Sequence, residues 1–193
     1  MTPPAAAGLP PRTWPLRQAC RCLRAGGLLA YPTETVYGLG CDPCDPLAVA
    51  RLLALKGRPM EKGLILIAAD LDQLAPWVTL DEALAARLTE PRPRPASWVV
   101  PATPAAPPWI TGGRDTLAVR LTGHPLARAL CRAFGAPLVS TSANRAGHPP
   151  ARSALQVQLR LGDGIDYLLH GRAGPHRRPS EIIDARSGRR LRA

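Results

Sequence analysis

With 193 residues and a hydrophobic fraction of 46%, the chain can bury one sizeable core, so a fold that depends on disulfide or metal staples is not required. A formal net charge of +11 points to an anionic partner: nucleotide, RNA or an acidic membrane surface. Five cysteines, an odd number, behind an N-terminus without secretory features argue against an extracellular disulfide framework. No apolar run reaches membrane-spanning length. A cytoplasmic protein with no membrane partner is expected.

Residues 1–13 read as a flexible Pro/Ala-rich arm, and 14–193 as a single domain. Over 15–25, Leu16, Ala19, Cys20 and Leu23 form one stripe and Arg17, Arg21 and Arg24 another, which predicts a helix stopped by Gly26-Gly27. "LLAY" (28–31) reads as a short buried strand running into "PTETVYGLG". Asp45-Pro46 supplies an N-cap and a first-turn proline for a helix ending near Lys56-Gly57. "LILIA" (64–68) is a second buried strand, and Thr79 with Glu82 has the form of a capping box for a helix over 80–90. After a Pro/Arg loop at 91–96, strands are expected at 97–101 and 116–121, then a helix at 125–134 and a strand at 137–140. A helix near 153–160, a strand at 165–169 and a final strand pair around "EIIDA" and "RRLRA", turning at Ser187-Gly188, complete the chain. Several strands lack a full helical crossover. The class is therefore α/β with a mixed parallel and antiparallel sheet.

Four stretches at element ends carry site chemistry. Lysine occurs only at 56 and 62, and the other 23 cations are arginine. Lys56 and Arg58 in "KGRPMEK" either complement a helix dipole or clamp a polyphosphate, and the retention of two lysines favours the clamp. Thr33, Glu34 and Thr35 in "YPTETVYGLG" make either a turn or a polar wall for a small zwitterion or hydroxyl-bearing substrate. "LVSTSANRAG" delivers Ser140, Thr141, Ser142 and the single asparagine, Asn144, from a strand end. Caps and an anion nest are both open there. Arg120 alternates inward on its strand and needs an anion, from protein or from ligand, while Ser180 opens the last strand pair. The Walker pattern GxxxxGK[ST], GxGxxG, HExxH and GxSxG are all absent, so any ATP site is of a non-Walker kind. "CDPC" with Cys20 and Cys22 offers a weak zinc pattern, and buried or surface thiols are the favoured reading. The four histidines lack ligand spacing.

The motifs "YPTETVYGLG", "KGRPMEKGLILIA", "LAVRLTGHP", "LVSTSANRAGHPP" and "PSEIIDA", in this order and over roughly residues 15–190, resemble the YrdC/Sua5 family, in its short TsaC type. The resemblance implies a twisted mixed sheet, surrounding helices and a basic concave face. It also implies an enzyme that joins L-threonine, bicarbonate and ATP, with Mg²⁺, into threonylcarbamoyl-AMP and pyrophosphate. A separate threonylcarbamoyl-transferase complex would then modify adenosine 37 of tRNA. The family's K-x-R and S-x-N motifs fall on Lys56, Arg58, Ser142 and Asn144, which the resemblance assigns to nucleotide chemistry. Lys62, Thr116 and Arg152 join them on the ATP side, and Thr33, Tyr37, Arg120, Ser140 and Ser180 fall on the threonine side. One departure stands out. Where the family usually has W-P-G-P-x-T, this chain has "RPRPAS" (92–97), with Arg94 in place of glycine and Ser97 in place of threonine. That change, with the charge, leaves a tRNA- or double-stranded-RNA-binding module with little catalysis as the alternative. The related domain of hydrogenase-maturation carbamoyltransferases is a third reading.

Overall fold

Helix α1 (Trp14–Arg24) buries the predicted stripe of Leu16, Ala19, Cys20 and Leu23, and keeps Arg21 and Arg24 in its last turn, beside the negative end of the helix. The computed structural model describes residues 13–176 and 179–192. Positions 1–12 of the predicted arm, and Arg177 and Arg178, lie outside the described residues.

Among the described residues nine strands form one sheet: β1 (Leu29–Pro32), β2 (Tyr37–Gly40), β3 (Ile65–Ala68), β4 (Ala96–Pro101), β5 (Thr116–Leu121), β6 (Leu138–Ser142), β7 (Tyr167–Leu168), β8 (Glu181–Asp184) and β9 (Arg190–Arg192). Their order is β7-β1-β2-β6-β3-β5-β4-β8-β9. The pairs β1/β7, β3/β5 and β4/β8 are parallel and the other five antiparallel, the mixed sheet expected of this α/β chain. Helices α2 (Pro46–Lys56), α3 (Glu82–Thr89), α4 (Pro108–Thr111), α5 (Pro125–Phe134) and α6 (Ala154–Leu161) surround it. No helix among the described residues is long and apolar enough to cross a membrane.

Strand alternation separates the two faces of the sheet. Leu39, Leu66, Val100, Leu117, Val119 and Val139 enter the larger core, together with residues of α2, α3 and α6. Leu29, Tyr31, Ile67 and Leu138 point the other way, into the core made by α1 and α5. These two helices cover only part of that second face. Further along, the same side of the sheet carries Ile65, Val99, Ala118, Arg120, Ser140 and Ile182, which line an open cleft.

Four local expectations change. Helix α3 starts at Glu82 with Asp81 as its cap, accepting from the Leu84 amide at 2.7 Å. Thr79 is instead held by its own amide on the Pro101 carbonyl. The strand expected at 165–169 shortens to Tyr167 and Leu168, because Asp166 turns its carboxylate onto the Leu28 amide and Arg51. Strand β2 was not anticipated: its two glycines weaken the strand signal, yet they are a packing requirement. A Cβ at Gly38 would lie 3.1 Å from the Thr33 methyl and 3.4 Å from both Ser140 Oγ and the Tyr31 ring, and one at Gly40 would collide with the Val139 carbonyl. The single turn α4 was also unforeseen and starts on Pro108.

Candidate active site

The cleft has a volume of about 890 Å³ and lies over the strand face that α1 and α5 leave bare. Its described lining holds seven cations, Lys56, Arg58, Lys62, Arg114, Arg120, Arg189 and Arg192, against one carboxylate, Asp184. Burial, then the neighbouring charge of Arg114, lowers the pKa of Arg58. Burial, then Arg120 and Arg58, lowers that of Arg192. These guanidiniums press on one another in a partly desolvated space, which favours an anionic ligand. Arg114, Arg189 and Arg192 were missed from the sequence: "GGRD" and "RRLR" have no motif, and only the fold brings them to the cleft.

Lys56 ends α2, whose C-cap is Gly57 in the left-handed conformation, φ +61°. Its side chain is turned inward, 5% exposed, and Nζ donates to the Ser142 carbonyl at 2.5 Å, the Asn144 carbonyl at 2.9 Å and Asn144 Oδ1 at 3.2 Å. Ser142 Oγ donates to the same Oδ1 at 2.6 Å, and Asn144 Nδ2 donates to the carbonyls of Arg145 and His148. The K-x-R and S-x-N segments are thus one hydrogen-bonded unit, and all three ammonium hydrogens have protein acceptors. Arg58 donates to the Lys62 and Gly63 carbonyls, and Arg114 to those of Thr111 and Glu61, so two guanidiniums pin the turn Met60–Lys62. Lys62 itself is exposed at the cleft's edge.

Burial, followed by repulsion from Arg58, lowers the Lys56 pKa from 10.5 to about 8. Activity that needs this ammonium should therefore fall as pH rises through about 8 in kcat/KM, and at higher pH in kcat, because a bound polyanion stabilises the charged form. Unfolding would not explain that loss. A lysine whose folded pKa lies below its unfolded one contributes stability that rises between pH 8 and 10.5. A pH–rate profile with parallel thermal melts checks both signs.

Thr33, Tyr37, Thr116, Arg120, Ser140 and Ser180 all reach the cleft, but Arg152 does not: it is exposed and donates to the His176 carbonyl. Thr33 Oγ1 donates to the Val36 carbonyl at 2.7 Å. The Tyr37 hydroxyl is taken by Gly171, donating to its carbonyl at 2.5 Å and accepting from its amide at 3.1 Å, and the side chain is fully buried in the larger core. Arg120, 7% exposed, has the anion an inward arginine requires: Glu34 Oε2 lies 3.8 Å from Nη1. Glu34 Oε1 accepts from Thr122 Oγ1 and the Gly123 amide. Burial raises the Glu34 pKa, but Arg120 and these donors together hold it below the ordinary carboxylate value. Cys20 packs in the α1–α5 core and Cys41 in the larger core, so they belong to different faces of the sheet. Among the described residues no three His, Cys, Asp or Glu side chains gather as a metal site.

The sequence profile of the Sua5/YciO/YrdC domain, described as "Telomere recombination", matches residues 21–193. The chain belongs to the Sua5/YciO/YrdC family. A relative in Halorhodospira halophila, named threonylcarbamoyl-AMP synthase, is 55% identical over 186 residues, 95% of this chain and 97% of its own. Another of that name, in Nitrosococcus oceani, is 53% identical over 180 residues, 93% of this chain and 97% of its own. The crystal structure of P. abyssi Sua5 complexed with L-threonine superposes with a TM-score of 0.80 at 36% identity. That match covers 89% of this chain, which spans about half, 51%, of the P. abyssi chain. Members of the Sua5/YciO/YrdC family with such different lengths share the sheet that carries this cleft.

Proposed function

We propose that this chain is a threonylcarbamoyl-AMP synthase of the cytoplasm, which converts L-threonine, bicarbonate and ATP into threonylcarbamoyl-AMP and pyrophosphate. The observation that carries the reading is the unit of Lys56, Ser142 and Asn144 beside a group of arginines that repel one another. Such a site is built for a polyphosphate and for the charge that grows on departing pyrophosphate. Arg58, Arg114 and Lys62 line the triphosphate region, and Lys56 fixes the Ser142–Asn144 turn against which the nucleotide sits. Arg120, Thr33, Ser140 and Ser180 receive threonine, with the Arg120 guanidinium on its carboxylate.

The chemistry then needs no covalent enzyme intermediate. The threonine amine adds to the carbon of CO₂, which bicarbonate gives by losing water, and the new carbamate releases one amine proton to solvent. A carbamate oxygen then attacks the α-phosphorus. The bond to the β-phosphate breaks and pyrophosphate leaves. The enzyme contributes alignment and fixed positive charge. Mg²⁺ enters with the substrate as MgATP, held by phosphate oxygens, and Asp184 is the one carboxylate in the described lining of the cleft. The product is an activated carbamoyl donor, consumed by a threonylcarbamoyl-transferase complex acting on tRNA, and the remaining surface arginines suit an RNA contact. The alternative of a binding module with little catalysis rests on the net charge and on Arg94, and the Arg94 guanidinium is engaged by Glu181 at 3.1 Å.

The test is pyrophosphate release from MgATP with threonine and bicarbonate each omitted in turn. Release is expected only with both. Release that ignores threonine, or none from folded protein, would overturn the reading.

A further inference from the structure

The altered loop at 92–97 is not absorbed by the chemistry above. Its two arginines turn to one carboxylate: Arg94 Nη1 donates to Glu181 Oε1 at 3.1 Å, and Arg92 Nη2 lies 3.7 Å from Oε2. Arg190, from β9, lies 3.7 Å from Oε1. Glu181 is 3% exposed and draws three cations from two separate segments, the loop and β9, and one of them, Arg92, also stacks 5.2 Å over the Trp98 ring. A carboxylate this buried holds its backbone where its partners are. The residue before it is Ser180, whose carbonyl and Oγ face Arg192 at 3.0 and 3.5 Å and whose Oγ lies 3.5 Å from the buried Ser97 Oγ.

The geometry points to Arg94 and Glu181 as positioning residues for the amino-acid half of the site: the pair fixes the start of β8, and through it the aim of Ser180. Arg94 occupies the place of the family's usual glycine and acts as a clasp between β4 and β8, not as an RNA contact. This rests on the assignment of Ser180 to the threonine side.

Glu181→Gln and Arg94→Gly are compared with wild type by pyrophosphate release, with threonine and ATP varied separately, and by calorimetric binding of L-threonine. Glu181→Gln leaves three guanidiniums without their counter-charge, so it should raise the threonine KM and Kd roughly tenfold, the scale of one lost charged hydrogen bond. The ATP KM should stay within about twofold. Arg94→Gly keeps Arg92 and Arg190 and should move the threonine constants in the same direction by less. Arg94→Lys should recover most of that change. If Glu181→Gln does not fold, Arg94→Gly decides. Threonine constants unchanged, or threonine and ATP constants moved together, overturn the inference. Wild-type protein without threonine-dependent release overturns the synthase reading instead.

Discussion

Lys56→Ala should reduce pyrophosphate release by roughly a hundredfold or more, the scale of losing one preorganised charged donor from an active site. The expected cause is more than a missing charge. The ammonium closes three hydrogen bonds onto the turn at Ser142 and Asn144, so its removal frees that turn and leaves buried acceptors without their donor. A stability loss of about 2 kcal/mol should accompany the activity loss. Lys56→Arg should not rescue, because a planar fork cannot reproduce three bonds converging on one nitrogen. Thermal melts beside the pyrophosphate assay give both numbers. A folded Lys56→Ala enzyme with full activity would remove the turn-anchoring role.

Arg120→Ala is the second large effect, and here stability leads. The substitution strips Glu34 of its counter-ion while the carboxylate stays buried, which should cost about 3–5 kcal/mol. Pairing Arg120→Met with Glu34→Gln removes both charges and should restore much of the melting temperature. It should not restore threonine-dependent turnover. Stability returning together with activity would show that Arg120 serves only the fold. The pair also sets a pH response: the Glu34 pKa is depressed below 4.5, so its contribution is present above pH 4.5 and is lost as pH falls through the depressed value.

Much of this was legible in the sequence because the local signals agreed with the fold. The arginine spacing of α1 and the Asp45-Pro46 start of α2 each had one physical solution, and the inward alternation of Arg120 required an anion, which Glu34 supplies. The site motifs were legible as chemistry at strand ends. What the sequence could not reveal was partnership at a distance. The lysine at 56 reads as a free phosphate ligand until β6 brings two carbonyls and an amide oxygen around it. Arg94 reads as a spare charge until Glu181, 87 positions later, lies beside it. Tyr37 falls on the threonine side by resemblance alone, and its hydroxyl is taken by Gly171. The glycines of β2 hid a strand because their reason, the Tyr31 ring, sits on a neighbour.

Strand β6, the carrier of Ser140 and Ser142, lies between two strands that are both remote in sequence: Thr141 pairs with Leu39, and Ser140 with Ile65. Each contact closes a loop on the order of a hundred residues, an entropic debt met only late in folding. The pocket floor therefore has no half-built stage at which nucleotide is held. Ligand-binding competence should arrive in one step with the last cooperative folding phase, and β6 amides should be among the slowest to exchange with solvent.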